Sequence, residues 1–405
     1  VGYLTELRTQ WRPLVAATIG LGCGFSITNY VTTIMAPHLL QEFGWSRSEF
    51  ALISSLGLVS VAIFPFVGRL TDMIGVRRTA MIGVTAMPLA FLGLYAMNGA
   101  ISTYIALFLF QGILCVTTTA TVYSRTVVQY VIRTRGLALA IVASGPALSG
   151  AVGGPLLNNF VEAHGWRAGY LVLVAFSTIA GAAALLLLPS DKKPSEARPP
   201  RAKADYAEIF RNRGFWVLLG AMLLCNLPQV IALTQLNLVL LDNGVSTAGI
   251  SAMISIFATG VLVGRFASGL ALDRLPAHLV AAVGLGLPAI GLLLIASSFD
   301  AQIVLMIAVL LIGLSFGAEG DVVGYLVVRN FGVRVYGSVM GMMTAAIAIS
   351  SSIGAIALSI AIKLTGGFGA FLVATAIAVL VGSILLLWLP ASPPAEAAPD
   401  QPAVA

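Results

Sequence analysis

Four charged side chains sit where charge is expensive. Arg125, Arg265, Glu319 and Asp321 each lie inside a long apolar run, and a charge near the centre of a membrane-spanning helix costs at least about 2.5 kcal/mol. Their types suggest a division of labour. A guanidinium presents a fixed fork that takes a carboxylate through two parallel hydrogen bonds, so Arg265 and Arg125 are candidate anion ligands. A carboxylate in a low-dielectric site can hold and release a proton near neutral pH, so Glu319 and Asp321 are candidate proton carriers. The plainer readings stand beside these. Arg265, near a helix end, could snorkel to water or pair with an acid. Arg125 could pair with Asp321 or Glu319, and either acid with Arg125, Arg265 or Arg329. Glu319 and Asp321 are two positions apart, roughly 200° around a helix, so only one can face a given cavity squarely.

Neutral polar residues in the same runs add hydrogen-bonding capacity: Asn29, Tyr30, Tyr123, Asn226, Gln229, Gln235 and Asn237. Each serves equally well as glue between helices. His38, His164 and His278 have no metal-ligand spacing, and no hydrolase or phosphate-cradling motif is present, so no cofactor and no enzymatic activity are expected. Cys23, Cys115 and Cys225 all fall in apolar runs, which implies small packing residues rather than a disulfide framework.

The elements that must position these residues follow from composition. The 405-residue chain is 59% hydrophobic and 9% charged, against about a quarter charged in a soluble domain. Apolar runs able to cross the hydrocarbon core fall near 13–38, 49–70, 79–97, 103–131, 136–161, 168–189, 215–241, 248–270, 279–298, 302–329, 336–362 and 369–389. The expected fold is therefore an all-α membrane protein with twelve transmembrane helices. The first run, entered through Trp11-Arg12-Pro13, is expected to be retained as a span. The net charge of +6 is not a nucleic-acid footprint. Arg8, Arg12, Arg69, Arg77, Arg78, Arg133, Arg135, Arg274 and Arg334 flank one side. Arg47, Arg167 and Lys363, beside Glu42, Glu49, Glu162, Asp242 and Asp300, flank the other. Basic residues stay cytoplasmic, which puts both termini inside.

The charged, proline-rich segment 190–213 separates an N-terminal six-helix bundle (1–189) from a C-terminal one (214–389), and 390–405 is expected to be a disordered cytoplasmic tail. The linker is expected to be cytoplasmic and flexible, with a short interfacial helix near Tyr206–Arg211. The two bundles echo one another. At an offset of 201, Gly68 and Asp72 map onto Gly269 and Asp273, and Arg135-Gly136 onto Tyr336-Gly337. At 200, Gly44 and Ser46 map onto Gly244 and Ser246, and Pro88 onto Pro288. A shared offset of this kind marks parallel repeats with a site near the membrane midplane.

The run Gly68-x-Leu70-x-Asp72-x-x-Gly75-x-Arg77-Arg78 resembles the signature loop of the major facilitator superfamily. Phe43-Gly-Trp-Ser-Arg-Ser-Glu49, Arg135-Gly-Leu-Ala-Leu-Ala-Ile-Val-Ala-Ser-Gly145 and Gly317-Ala-Glu-Gly-Asp321 resemble its bacterial branch related to monocarboxylate transporters and oxalate/formate exchangers. The resemblance implies two pseudo-symmetric six-helix bundles and a secondary transporter. It implies a gating role for Gly68, Asp72, Arg77, Arg78, Asp273 and Arg274. It also implies a carboxylate ligand at Arg265, within Gly264-Arg265-Phe-Ala-Ser-Gly269. The chain departs from the branch at Val261, where animal relatives carry an aspartate, and near Met343, where the oxalate exchanger carries a second cation. A monoanion, or a larger acid with an apolar body, fits better than a compact dianion.

Features demanded by the fold alone should recur in both repeats. At the shared offset Arg265 faces Phe64, Glu319 faces Thr118, Asp321 faces Ala120 and Arg125 faces Leu326. None recurs, which sets these four apart as functional candidates. The resulting expectation is a monomeric transporter in a bacterial inner membrane, taking up a small organic carboxylate with protons. Arg265, Arg125, Asn29, Tyr30, Tyr123, Gln229 and Asn237 would line the substrate path, and Glu319 or Asp321 would carry the proton. An anion exchanger or a drug/proton antiporter on the same fold is the alternative. A non-transporting sensor is disfavoured, because linker and tail contain no recognisable output domain.

Overall fold

The computed structural model describes residues 3–46, 50, 58–189, 202–297 and 301–390. The linker segment 190–201, the tail 391–405, residues 51–57 of the second expected span, and Arg47, Glu49 and Asp300 lie outside the described residues.

Helices follow the apolar runs. α1 (Tyr3–Thr9) precedes α2 (Trp11–Gly22) and α3 (Thr28–Phe43); then come α4 (Leu58–Ile74), α5 (Val76–Ala96), α6 (Ile101–Leu114), α7 (Ala120–Tyr130), α8 (Arg135–Ala143), α9 (Gly145–His164) and α10 (Trp166–Leu187). After them come α11 (Ala202–Arg211), α12 (Arg213–Cys225), a π stretch (Ile231–Gln235), α13 (Leu236–Asp242), α14 (Thr247–Leu272), α15 (Ala277–Ala296), α16 (Gln302–Phe331), α17 (Tyr336–Thr365) and α18 (Gly369–Leu386). Ten of the described segments are long and apolar enough to cross a membrane. The second expected span is represented by α4, and the seventh is broken into α12, the π stretch and α13.

The chain divides into two compact units. One is Val1–Pro200 with Val335–Ala345, the other Arg201–Arg334 with Ala346–Ala405. The first turns of α17 therefore belong with the N-terminal helices, which the sequence did not suggest. Gly44 and Gly244, paired by the repeat, both adopt left-handed backbone, at φ 67° and 74°. Both follow helices, where only glycine takes that conformation without strain.

Within the first unit the helices break where they touch. A Cβ on Gly22 would lie 2.8 Å from the Gly145 carbonyl carbon, so these backbones meet directly. The groups freed at the breaks are answered by small side chains. Thr118 Oγ1 accepts from the Phe25 amide at 2.9 Å, and Ser149 Oγ donates to the Gly22 carbonyl at 2.6 Å. Such local answers are what permit non-helical backbone at membrane depth.

Within the second unit, α14 and α16 pack through paired glycines. A Cβ on Gly264 would lie 2.0 Å from the Leu314 oxygen, and one on Gly317 would lie 1.9 Å from the Val261 oxygen. Gly260 and Gly313 repeat the arrangement one turn away. Glycines four apart allow this backbone contact, and it carries Arg265 of α14 up to the face of α16. The expected linker helix is α11, tied down by Arg334, whose guanidinium pairs with the buried Asp205 and, at 2.5 Å, with Glu208.

Candidate functional site

Among the described residues, each unit holds a buried arginine–aspartate pair. In the first, α7 carries Arg125 to Asp72 on α4. Asp72 also accepts from the Gly337 amide at 2.9 Å and from the Ser338 amide and hydroxyl, each at 2.6 Å. The carboxylate thus sits at the N-terminus of α17, where orphan amides and the helix dipole favour an anion. Gly68, one turn earlier on α4, makes room, since a Cβ there would lie 1.9 Å from the Gly337 oxygen. Tyr336 donates its hydroxyl to Ser124 at 2.9 Å beside this cluster. The partner of Arg125 differs from the expected Glu319 or Asp321. Asp72 lies on an adjacent helix of the same unit, and its position at a helix N-terminus was not visible from spacing.

In the second unit, Arg265 Nε lies 3.9 Å from Asp321 Oδ2 and donates to the Gly317 carbonyl at 3.4 Å. The Asp321 side chain is 2% exposed and that of Arg265 18%. The separation exceeds a good N–H···O bond of roughly 2.7–3.2 Å. Asp321 Oδ2 has no hydrogen-bond partner among the described residues. Glu319 faces another way, as the spacing required: Gln229 Nε2 donates to its Oε2 at 3.4 Å, and it lines a cavity beside α12 and α15.

The remaining candidates scatter. Tyr123 was expected to line a substrate cavity. It is fully buried inside the first unit against Gly20, where a Cβ would lie 2.1 Å from its ring. Its hydroxyl has no partner among the described residues. Tyr30 packs by Gly150 and Gly153, and Asn29 and Asn237 are exposed on α3 and α13. Arg77 and Arg78 occupy the first turn of α5, Asp273 caps the C-terminus of α14, and the exposed Arg274 follows it.

The sequence missed one cluster. Glu6 of α1 accepts from the amides of Ile132 at 3.0 Å, Arg133 at 3.0 Å and Thr134 at 2.9 Å, and from the Thr134 hydroxyl at 2.9 Å. Burial pushes its carboxyl up, but these four donors outweigh burial and hold it below its ordinary value. The missed signal was Thr134 just before α8, a capping residue whose amide needs an acceptor.

Comparison with known proteins gives these clusters a context. The model of the Major Facilitator Superfamily matches residues 16–318 and 222–403. Human monocarboxylate transporter 11 is 26% identical over 374 residues, spanning 88% of this chain and 78% of that protein. An Aspergillus terreus MFS-type transporter is 30% identical over 141 residues, 35% of this chain and 47% of that one. Among solved structures, the Escherichia coli fucose:proton symporter superposes with a TM-score of 0.72 at 17% identity, covering 94% of this chain and 98% of that one. A human organic anion transporter gives 0.71 at 15% identity, covering 93% and 99%. At these identities the solved structures speak for the fold.

Proposed function

The chain belongs to the major facilitator superfamily and is a multi-pass membrane transporter; from that premise we propose that it moves a small organic monocarboxylate together with a proton by alternating access. The observation that carries the reading is the loose, buried Arg265–Asp321 pair. Removing one partner of a buried ion pair leaves an uncompensated charge, which costs several kcal/mol. A substrate carboxylate that takes the Arg265 fork would strip Asp321 of its countercharge. Asp321 would then accept a proton rather than stay bare in a low-dielectric site. Anion and proton would occupy the site together and leave it together, which is symport. The position of Asp321 beside Arg265 favours it over Glu319 as the proton carrier. The bond to the Gly317 carbonyl would keep the guanidinium in place while its partner changes.

The departures at Val261 and near Met343 favour a single carboxylate, and the human relative is itself a monocarboxylate transporter by name. The distribution of arginine favours both termini in the cytoplasm, and the motifs that resemble the bacterial branch favour a bacterial inner membrane. Gly68, Asp72 and the N-terminus of α17 form a charge-capped contact suited to gating, because it is made of short hydrogen bonds that a helix movement would break together.

Uptake of labelled monocarboxylates into proteoliposomes tests the proposal. An inward proton gradient is expected to drive accumulation in the wild type, and Arg265→Ala to cut it by about 10²-fold while the purified variant still melts cooperatively. Unchanged uptake in Arg265→Ala would sink the reading. Flux that ignores the gradient and requires internal anion would replace symport with exchange.

A further inference from the structure

Glu319 carries a charge that no neighbouring cation answers. Among the described residues no arginine, lysine or histidine lies within ion-pair distance of it. Its hydrogen bonds come from two neutral carboxamides, Gln229 at a long 3.4 Å and Asn226. The carboxylate opens onto a cavity of about 40 Å³ whose lining includes Cys225, Asn226, Gln229, Ser315 and Glu319. Ser315 is 5% exposed and makes no hydrogen bond among the described residues. Serines and threonines elsewhere in these helices bond the carbonyl four residues back, as Ser255 and Thr259 do on α14. Ser315 lines the cavity, so its hydroxyl is available to a ligand there.

Beside Glu319, a span of the second unit is interrupted. α12 stops at Cys225, Asn226 caps it, and the chain resumes as the π stretch Ile231–Gln235. Non-helical backbone at membrane depth lines a cavity or is buried in protein, and interrupted helices are where transporters coordinate small cations. The lining offers the oxygens of one carboxylate, two carboxamides and one hydroxyl, the donors that hard cations prefer, beside the Cys225 thiol, which is turned to the Val379 carbonyl at 3.8 Å. A single carboxylate neutralises a monovalent ion, whereas a divalent ion would leave a net buried charge. The volume admits one small ion with at most a water or so.

We propose that this cavity is a Na⁺ site, with Glu319, Asn226, Gln229 and Ser315 as oxygen ligands. The Gln229 and Asn226 carboxamides, whose N–H groups face Glu319, turn their oxygens inward when the ion binds. The site lies on the face of α16 away from Arg265 and is separate from the substrate pair, so it goes beyond the symport reading.

Thermal melting of the purified full-length protein tests it, with NaCl replaced stepwise by choline chloride at constant ionic strength and no carboxylate added. A saturable rise in Tm with Na⁺ is expected for the wild type. Glu319→Gln should lose the response. Ser315→Ala should need about tenfold more Na⁺ for half the shift, the equivalent of one modest interaction. Should Glu319→Gln fail to fold, Ser315→Ala decides the matter. Equal melting in Na⁺ and choline, or a full response in both variants, overturns the site. Such a failure would leave the symport reading standing wherever carboxylate uptake still depends on Arg265.

Discussion

The two buried arginine–aspartate pairs use the same side chains to opposite ends. Asp72 is saturated: a guanidinium, two amides and a hydroxyl surround it, and its side chain is 1% exposed. Asp321 is as deeply buried, yet its guanidinium stands off at 3.9 Å and one oxygen has no hydrogen bond among the described residues. A saturated buried carboxylate is expensive to disturb and holds backbone in place. An undersupplied one is already part of the way to losing its partner. The first pair therefore reads as a latch that holds backbone until its bonds break together, and the proposed symport gives the second the part that changes hands.

Perturbing the saturated pair should give the largest loss of stability. Asp72→Ala leaves Arg125 buried without its partner and the α17 amides uncapped, with an expected cost of about 3–5 kcal/mol. Thermal melting in detergent should show it, and Asp321→Asn should melt much closer to the wild type. Equal losses in the two variants would erase the contrast. Transport should rank them the other way: Arg265→Ala should reduce carboxylate uptake by about 10²-fold, the value of one charge-assisted bidentate contact. Arg265→Lys should recover only part of it, because a point charge lacks the fork.

A smaller effect tests how Arg265 is positioned. Gly317→Ala puts a methyl 1.9 Å from the Val261 backbone oxygen, so α14 and α16 must separate. The expected cost is roughly 1–3 kcal/mol of stability, with a raised KM for carboxylate because Arg265 moves with α14. A normal KM would detach the arginine from the glycine contact. The smallest effect belongs to Glu6. Its folded carboxyl lies below the ordinary 4.5, so its contribution is complete above that pH and is lost as pH falls through the lowered value. Glu6 is largely solvated, so the contribution is less than about 1 kcal/mol after screening. A Glu6→Gln variant should flatten the pH dependence of Tm below pH 4.5 and leave it unchanged at neutral pH.

Much of the second unit's site was legible in advance. Arg265 and Asp321 were both conspicuous as charges in apolar runs without counterparts in the other repeat. Their juxtaposition follows from glycines four apart, a pattern visible in Gly260 and Gly264 and in Gly313 and Gly317. The partner of Arg125 was not legible. Asp72 belongs to a motif that explained itself as a loop, and its role at the N-terminus of α17 depends on contacts 265 positions apart. Tyr123 was undecided for a related reason. A tyrosine in a span can face a path or a neighbouring helix, and only Gly20 across the interface decides which.

By itself, the sequence determined the class, most of the spans and the identity of the unusual charges. Those follow from transfer free energies and periodicity, which act residue by residue. Only the tertiary structure decided which charge meets which, which carboxylate is saturated and which stands waiting, and where an interrupted helix leaves oxygen atoms around a cavity. Those depend on the distance between segments far apart in the chain, and at membrane depth an ångström or two separates a hydrogen bond from a bare charge.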